Sequence, residues 1–149
     1  MLHMHKKLKK YMQFGGHVEL HETPWQTIIH EIKEEAGYNI SQLSLLQPAN
    51  SLAKVSNSVI HPYPLALATF KYGDLDHYHT DTAFAFVTKE APHHKIEDDE
   101  SKDIRLFTKR ELLNAKNDLV PENVKEVALY VLDHILKNWQ KTDANDFAS

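Results

Sequence analysis

Residues 23–37, TPWQTIIHEIKEEAG, carry a helix start, a helix stop and two chemically opposed faces between them. Thr23 suits the N-cap, Pro24 the first helical position, and Gln26 closes a capping box. Gly37 is the residue expected just beyond the last turn. The spacing therefore predicts a helix from about Pro24 to Ala36. With an advance of about 100° per residue and Glu31 set at zero, Glu34 falls near −60° and Glu35 near +40°. Trp25, Ile28, Ile29, Ile32 and Ala36 fall between about +60° and +160° on the same wheel. One face must be buried and the face beside it is a wall of carboxylates. Glu31 repels Glu34 and Glu35 at the i,i+3 and i,i+4 spacings. A solvated acidic face is the plain reading. A hard divalent cation such as Mg²⁺, which prefers oxygen ligands, would turn the repulsion into a binding site. The Gly15-Gly16 pair shortly before the helix gives a bare backbone that can approach a ligand or offer a carbonyl.

An amphipathic helix needs a second layer. Strand-like runs follow at Leu43 to Gln47, Ala66 to Tyr72, Thr82 to Thr88 and Ile104 to Thr108, and residues 1–5 read as the end of another strand. Lys109 to Asn114 reads as a short helix. Pro121 to Trp139 reads as a longer one, with Val124, Val127, Ala128, Val131, Leu132 and Ile135 at helical spacing. The pattern predicts an α+β layered fold, with one domain over residues 1–139 and a polar, mobile tail over 140–149. At 149 residues the chain can bury a real core. No run approaches the roughly 18–20 apolar residues of a membrane helix. The basic start MLHMHKKLKK has no apolar stretch of a secretory signal, so the cytoplasm is the expected compartment. With no cysteine there is no disulfide and no thiolate metal site. A net charge of −4 argues against a sequence-independent grip on a nucleic-acid polymer and favours cationic partners.

The stretch from Gly16 to Tyr38 resembles the Nudix box, G-x5-E-x7-R-E-U-x-E-E-x-G-U, where U is a bulky apolar residue. Gly16, Glu22, Glu31, Ile32, Glu34, Glu35 and Gly37 match; His30 stands where the family has Arg, and Tyr38 replaces an aliphatic residue. The flanks KKLKKYMQFGGHVEL and ESKDIRLFTKREL are similar to the family as well. The resemblance implies an α/β/α sandwich around a mixed sheet. It also implies a Mg²⁺-dependent (or Mn²⁺-dependent) hydrolase of a nucleoside diphosphate linked to another moiety. By position, Glu31, Glu34 and Glu35 would carry the metal with the Gly16 carbonyl, and Glu22 would orient the box by pairing with residue 30. Box glutamates such as Glu34 and Glu35, or a glutamate in a late loop, would act as general base. Glu100 matches that loop position, and Glu97, Asp98 and Asp99 compete with it.

The departures carry expectations of their own. His is shorter than Arg and lacks its forked donor, so His30 should hold the carboxylates less firmly and reduce activity. Only fifteen residues precede Gly16, so the fold is expected to be N-terminally shortened, with a homodimer as one way to cover an open sheet edge. The alternative to an enzyme is a degenerate Nudix domain that binds a nucleotide or a protein partner without turnover. Elsewhere, His77, His79 and Asp81 would share one face of an extended segment. They fit an independent metal site, a polar strand face, or substrate contacts beside the box. Tyr63, in the rigid segment HPYP, is a candidate to stack on a base, and otherwise a packing residue, as Trp25 and Trp139 are expected to be.

Overall fold

A computed structural model describes residues 1–52, 54–71 and 76–147. The strands are β1 (Leu2–Met4), β2 (Tyr11–Met12), β3 (Ser44–Gln47), β4 (Ala66–Lys71), β5 (Tyr78–Ala83), β6 (Phe86–Val87), β7 (Ile104–Arg105) and β8 (Gln140–Asp143). The helices are α1 (Pro24–Ala36), α2 (Lys109–Asn114), α3 (Glu122–Tyr130) and α4 (Leu136–Asn138). They combine into small sheets of order β2-β1-β7, β6-β3-β8 and β4-β5. Where the resemblance implied a mixed sheet, the described strands pair antiparallel throughout.

Consecutive side chains of a strand point to opposite faces. On β3, Leu45 packs with Trp25, Ile32 and Ala36 of α1, while Leu46 packs with Ile135 near the end of the terminal helix. Both leucines are fully buried. This strand is thus covered by helix on both sides, which is the layering of an α/β/α sandwich. A third cluster joins Leu2 and Tyr11 to Leu112 of α2 and Val124 of α3.

α1 has the boundaries its sequence predicts. Thr23 accepts from the Gln26 N–H, the reciprocal bond completes the capping box, and Gly37 closes the helix at φ 73°. A side chain is excluded at Gly37 twice over. The backbone is left-handed, and a Cβ would run into the His94 carbonyl.

Several expectations change. The run Thr82 to Thr88 is not one strand: Tyr78–Ala83 pairs with β4, and Phe86–Val87 crosses to β3. The run Ala66 to Tyr72 is a strand as far as Lys71; Tyr72 lies outside the described residues. β7 ends at Arg105 because Thr108 is the N-cap of α2 and accepts from the Glu111 N–H. The long helix passes through a π-helical turn at Val131–Ile135. Its single stripe consequently serves two clusters, Val124 in one and Ile135 in the other.

The tail expected over 140–149 is overturned for residues 140–147. β8 pairs with β3 from Ser44–Asp143 to Gln47–Gln140. Ala144 is fully buried, and the Phe147 carbonyl accepts the Trp25 indole N–H at 3.0 Å. The strand is hidden in the sequence because β8 lies at a sheet edge, where QKTD can be polar. The boundary at 139 moves accordingly; Ala148 and Ser149 lie outside the described residues. The short N-terminal region supplies a strand: β1 sits centrally between β2 and β7.

Candidate active site

α1 carries the carboxylate wall, and the Gly15-Gly16 loop lies against it. The Gly15 N–H donates to Glu35 Oε2 at 2.8 Å. At Gly16 a Cβ would collide with the Glu31 carboxylate. With the Glu31 side chain placed as it is, only a bare backbone fits here.

Glu31 is kept above the ordinary carboxylate range by burial first, then by Glu34, Glu100, Glu22 and Glu19. Glu35 is pushed from 4.5 up to about 8, chiefly by burial; the Gly15 N–H opposes the rise, and Glu31, Glu100 and Glu34 add to it. The site is therefore a set of crowded, partly buried carboxylates whose protons are held more tightly than usual. Among the described residues, no three Asp, Glu or His side chains are yet gathered around one point. The donors share a surface without forming a closed cage.

The helper residues expected from the box lie in reach of each other. His30 Nδ1 is 2.5 Å from Glu22 Oε1, and the Thr27 hydroxyl donates to Glu22 Oε2 at 2.9 Å. Glu22 is thus tied to α1 at two positions. His30 makes its pair from an exposed position.

Tyr38, the other departure from the box, has a specific use. Its ring is buried in the α1 cluster, and its hydroxyl donates to the Glu90 carbonyl at 3.2 Å. The His94 N–H bonds the Gly37 carbonyl, and the Glu97 N–H bonds the Glu34 carbonyl, each at 3.0 Å. Residues 90–97 are in this way strapped across the C-terminal end of α1. That strap brings Glu100 close enough to act on Glu31 and Glu35 electrostatically.

Two further sets were expected near the site. β5 places the His79 ring 5.5 Å from that of His17, which directly follows Gly16. His77 Nε2 is 3.1 Å from His79 Nε2. These histidines thus stand beside the glycine loop, while the independent metal site with Asp81 is not assembled among the described residues. The Tyr63 ring meets Trp139 edge-on while remaining exposed, and its backbone bonds Gln47 twice. Trp25 packs among Phe84, Phe86 and Phe147, as a core residue.

One residue at the site was not foreseen. His3 of β1 is buried, with Nδ1 3.5 Å from Glu35 Oε1. Burial lowers the His3 pKa as it raises that of Glu35, so both groups favour their neutral forms and the contact is not a salt bridge. The available signal was a histidine between Leu2 and Met4 in a strand-like run.

This architecture is shared with known proteins. The NUDIX domain model matches residues 5–130. A solved structure, a hydrolase of the NUDIX family from Clostridium perfringens, superimposes with a TM-score of 0.70 at 30% identity, covering 89% of this chain and 86% of that one. No curated protein gives a significant match. The chain belongs to the NUDIX family and is a Nudix hydrolase. None of its described helices is long and apolar enough to cross a membrane.

Proposed function

We propose that the protein is a Mg²⁺-dependent pyrophosphohydrolase that cleaves a nucleoside diphosphate linked to a second moiety, with Mn²⁺ able to replace Mg²⁺. The observation that carries this reading is the gathering of Glu31, Glu34, Glu35 and Glu100 by the Gly16 loop, where burial first and the neighbouring carboxylates next raise the pKa of Glu31 and Glu35. Such a donor set fits a hard cation: it is all oxygen, on one surface, and uncompensated by any of the charges acting on it. Glu31, Glu34 and Glu35 would hold the metal with the Gly16 carbonyl. A bound Mg²⁺ would neutralise diphosphate oxygens and make a water more acidic.

The chain's own residues do the rest. Glu100, on the strapped loop, takes the proton of the attacking water. Glu22 and His30 fix the outer turn of α1 and hence the direction of the wall. His77 and His79, beside His17, contact the substrate at the rim. Tyr63, held against Trp139, serves packing rather than base recognition.

The test is hydrolysis of a panel of nucleoside diphosphate derivatives with Mg²⁺ or Mn²⁺. Glu34→Gln should lower turnover of any accepted substrate at least tenfold. His30→Arg, which restores a forked donor to Glu22, should raise it. If nothing on the panel is turned over, and nucleotide still binds equally well to wild type and Glu34→Gln, the rival reading of a binding-only domain stands instead.

A further inference from the structure

We propose that His3 is a positioning residue for Glu35, holding from inside the fold the carboxylate that the metal would meet from outside. This rests on the reading of Glu35 as a metal ligand.

The argument starts from the pleat of β1. Leu2 faces the cluster built by α2 and α3, so His3, the next residue, faces the opposite way, toward the glycine loop and α1. β1 is the central strand, bonded to β2 through His3–Met12 and to β7 through His3–Ile104. Its backbone position is therefore fixed on both sides. The His3 ring packs on Phe14, 5.1 Å between centroids, and hydrogen-bonds the backbone of Gln13. Only 2% of the residue is exposed.

A central strand covered on both faces ordinarily carries apolar residues, as Leu2 shows. At His3 an apolar side chain would fill the space without leaving a buried polar atom unpaired. Instead, Nδ1 is buried without a hydrogen bond of its own, and it faces Glu35 Oε1 at 3.5 Å. Leaving such an atom unpaired is costly, and a native fold retains it where it has a use. The other Glu35 oxygen is taken by the Gly15 N–H at 2.8 Å. A carboxylate has about four lone-pair positions. With Oε2 bonded to the Gly15 N–H and Oε1 abutting the His3 ring, the carboxyl is confined from the interior and its remaining lone-pair positions are turned to the wall. Partners of this kind behind a metal ligand are typically worth about 10–100-fold in metal affinity.

The test compares full-length wild type, His3→Leu and His3→Asn. Leu keeps the bulk and removes both nitrogens; Asn returns an amide nitrogen near the Nδ1 position. The readouts are Mn²⁺ affinity from the electron paramagnetic resonance signal of free Mn²⁺, and stability in urea without metal. His3→Leu should bind Mn²⁺ at least about tenfold more weakly while being no less stable than wild type. His3→Asn should recover most of the affinity. A purely structural role would move stability and leave affinity alone. If His3→Leu fails to fold, His3→Gln, whose amide projects beyond the Nδ1 position, replaces it as the weak binder. Mn²⁺ affinity in the weak variant within twofold of wild type, or His3→Asn binding no better than that variant, overturns the proposal. A wild type that binds no Mn²⁺ overturns the metal reading on which it rests.

Discussion

Glu35→Gln should stabilise the metal-free protein, and by an amount that depends on pH. The carboxyl is 6% exposed and its pKa is raised from 4.5 to about 8. A carboxyl whose pKa is higher folded than unfolded binds its proton more tightly in the folded state. Its contribution is intact below the unfolded value and is lost as pH rises through the folded one. The fold therefore loses stability between pH 4.5 and about 8 on account of this one group. The rise corresponds, at about 1.36 kcal/mol per pH unit, to a ceiling of about 5 kcal/mol. Water entering the site and relaxation of the neighbouring carboxylates reduce this, so a gap of about 2–4 kcal/mol is expected above pH 8. The amide cannot ionise, and it reproduces the neutral acid. Its oxygen can accept from the Gly15 N–H, and its NH₂ can donate toward the unpaired His3 Nδ1. Urea denaturation of both proteins in EDTA, at about pH 5 and about pH 9, measures the difference; groups common to both cancel. The gap should be small at the lower pH and open at the higher. Mg²⁺ should narrow it by stabilising the wild type alone. A gap equal at the two pH values, or of opposite sign at the higher one, refutes the assignment of a buried, protonated Glu35.

Two other changes probe the loop and the terminal strand. Gly16→Ala places a methyl group where the Glu31 carboxylate lies; because that side chain can swing aside, unfolding free energy should change by less than about 1 kcal/mol, while Mn²⁺ affinity falls at least about tenfold by the same resonance titration. Ending the chain after Trp139 removes β8 and the carbonyl that receives the Trp25 indole. A loss on the order of 3 kcal/mol is expected, or a fall of roughly 6–12 °C in Tm by calorimetry, and an unchanged Tm would return residues 140–147 to the status of a tail.

How much of this was legible in the sequence follows from where each cause resides. The limits of α1 could be read because they are local: Thr23, Gln26 and Gly37 act on backbone within a turn of themselves. The carboxylate wall could be read because the helix period fixes it. The layering was partly visible in Leu45-Leu46, whose adjacency asks for burial on both faces. β8 could not be read. Nothing in QKTD favours a strand over a loop; it is extended because β3 offers an edge and Ala144 and Phe147 close the α1 cluster behind it. The break in the run Thr82 to Thr88 has the same origin, since its first part pairs with β4 and its last part with β3, in two different sheets.

The site itself divides along the same line. The pairing of Glu22 with His30 was expected only because the resemblance to the Nudix box implies it for these positions, and the structure brings the two together. His3 precedes Glu35 by far more than any local rule can bridge. Only the hydrogen bonding of β1 to both β2 and β7 puts its ring behind the wall. The same holds for Tyr38, which as a box residue looked like a flaw. Its phenol adds a bond to Glu90, beside the His94–Gly37 and Glu97–Glu34 backbone bonds, between the end of α1 and the segment leading to Glu100. Substituting an aliphatic residue at Tyr38 would keep the buried contact and remove the bond to Glu90, leaving the two backbone bonds of the strap. The departure from the family pattern is therefore better understood as a longer reach than as a weakened core.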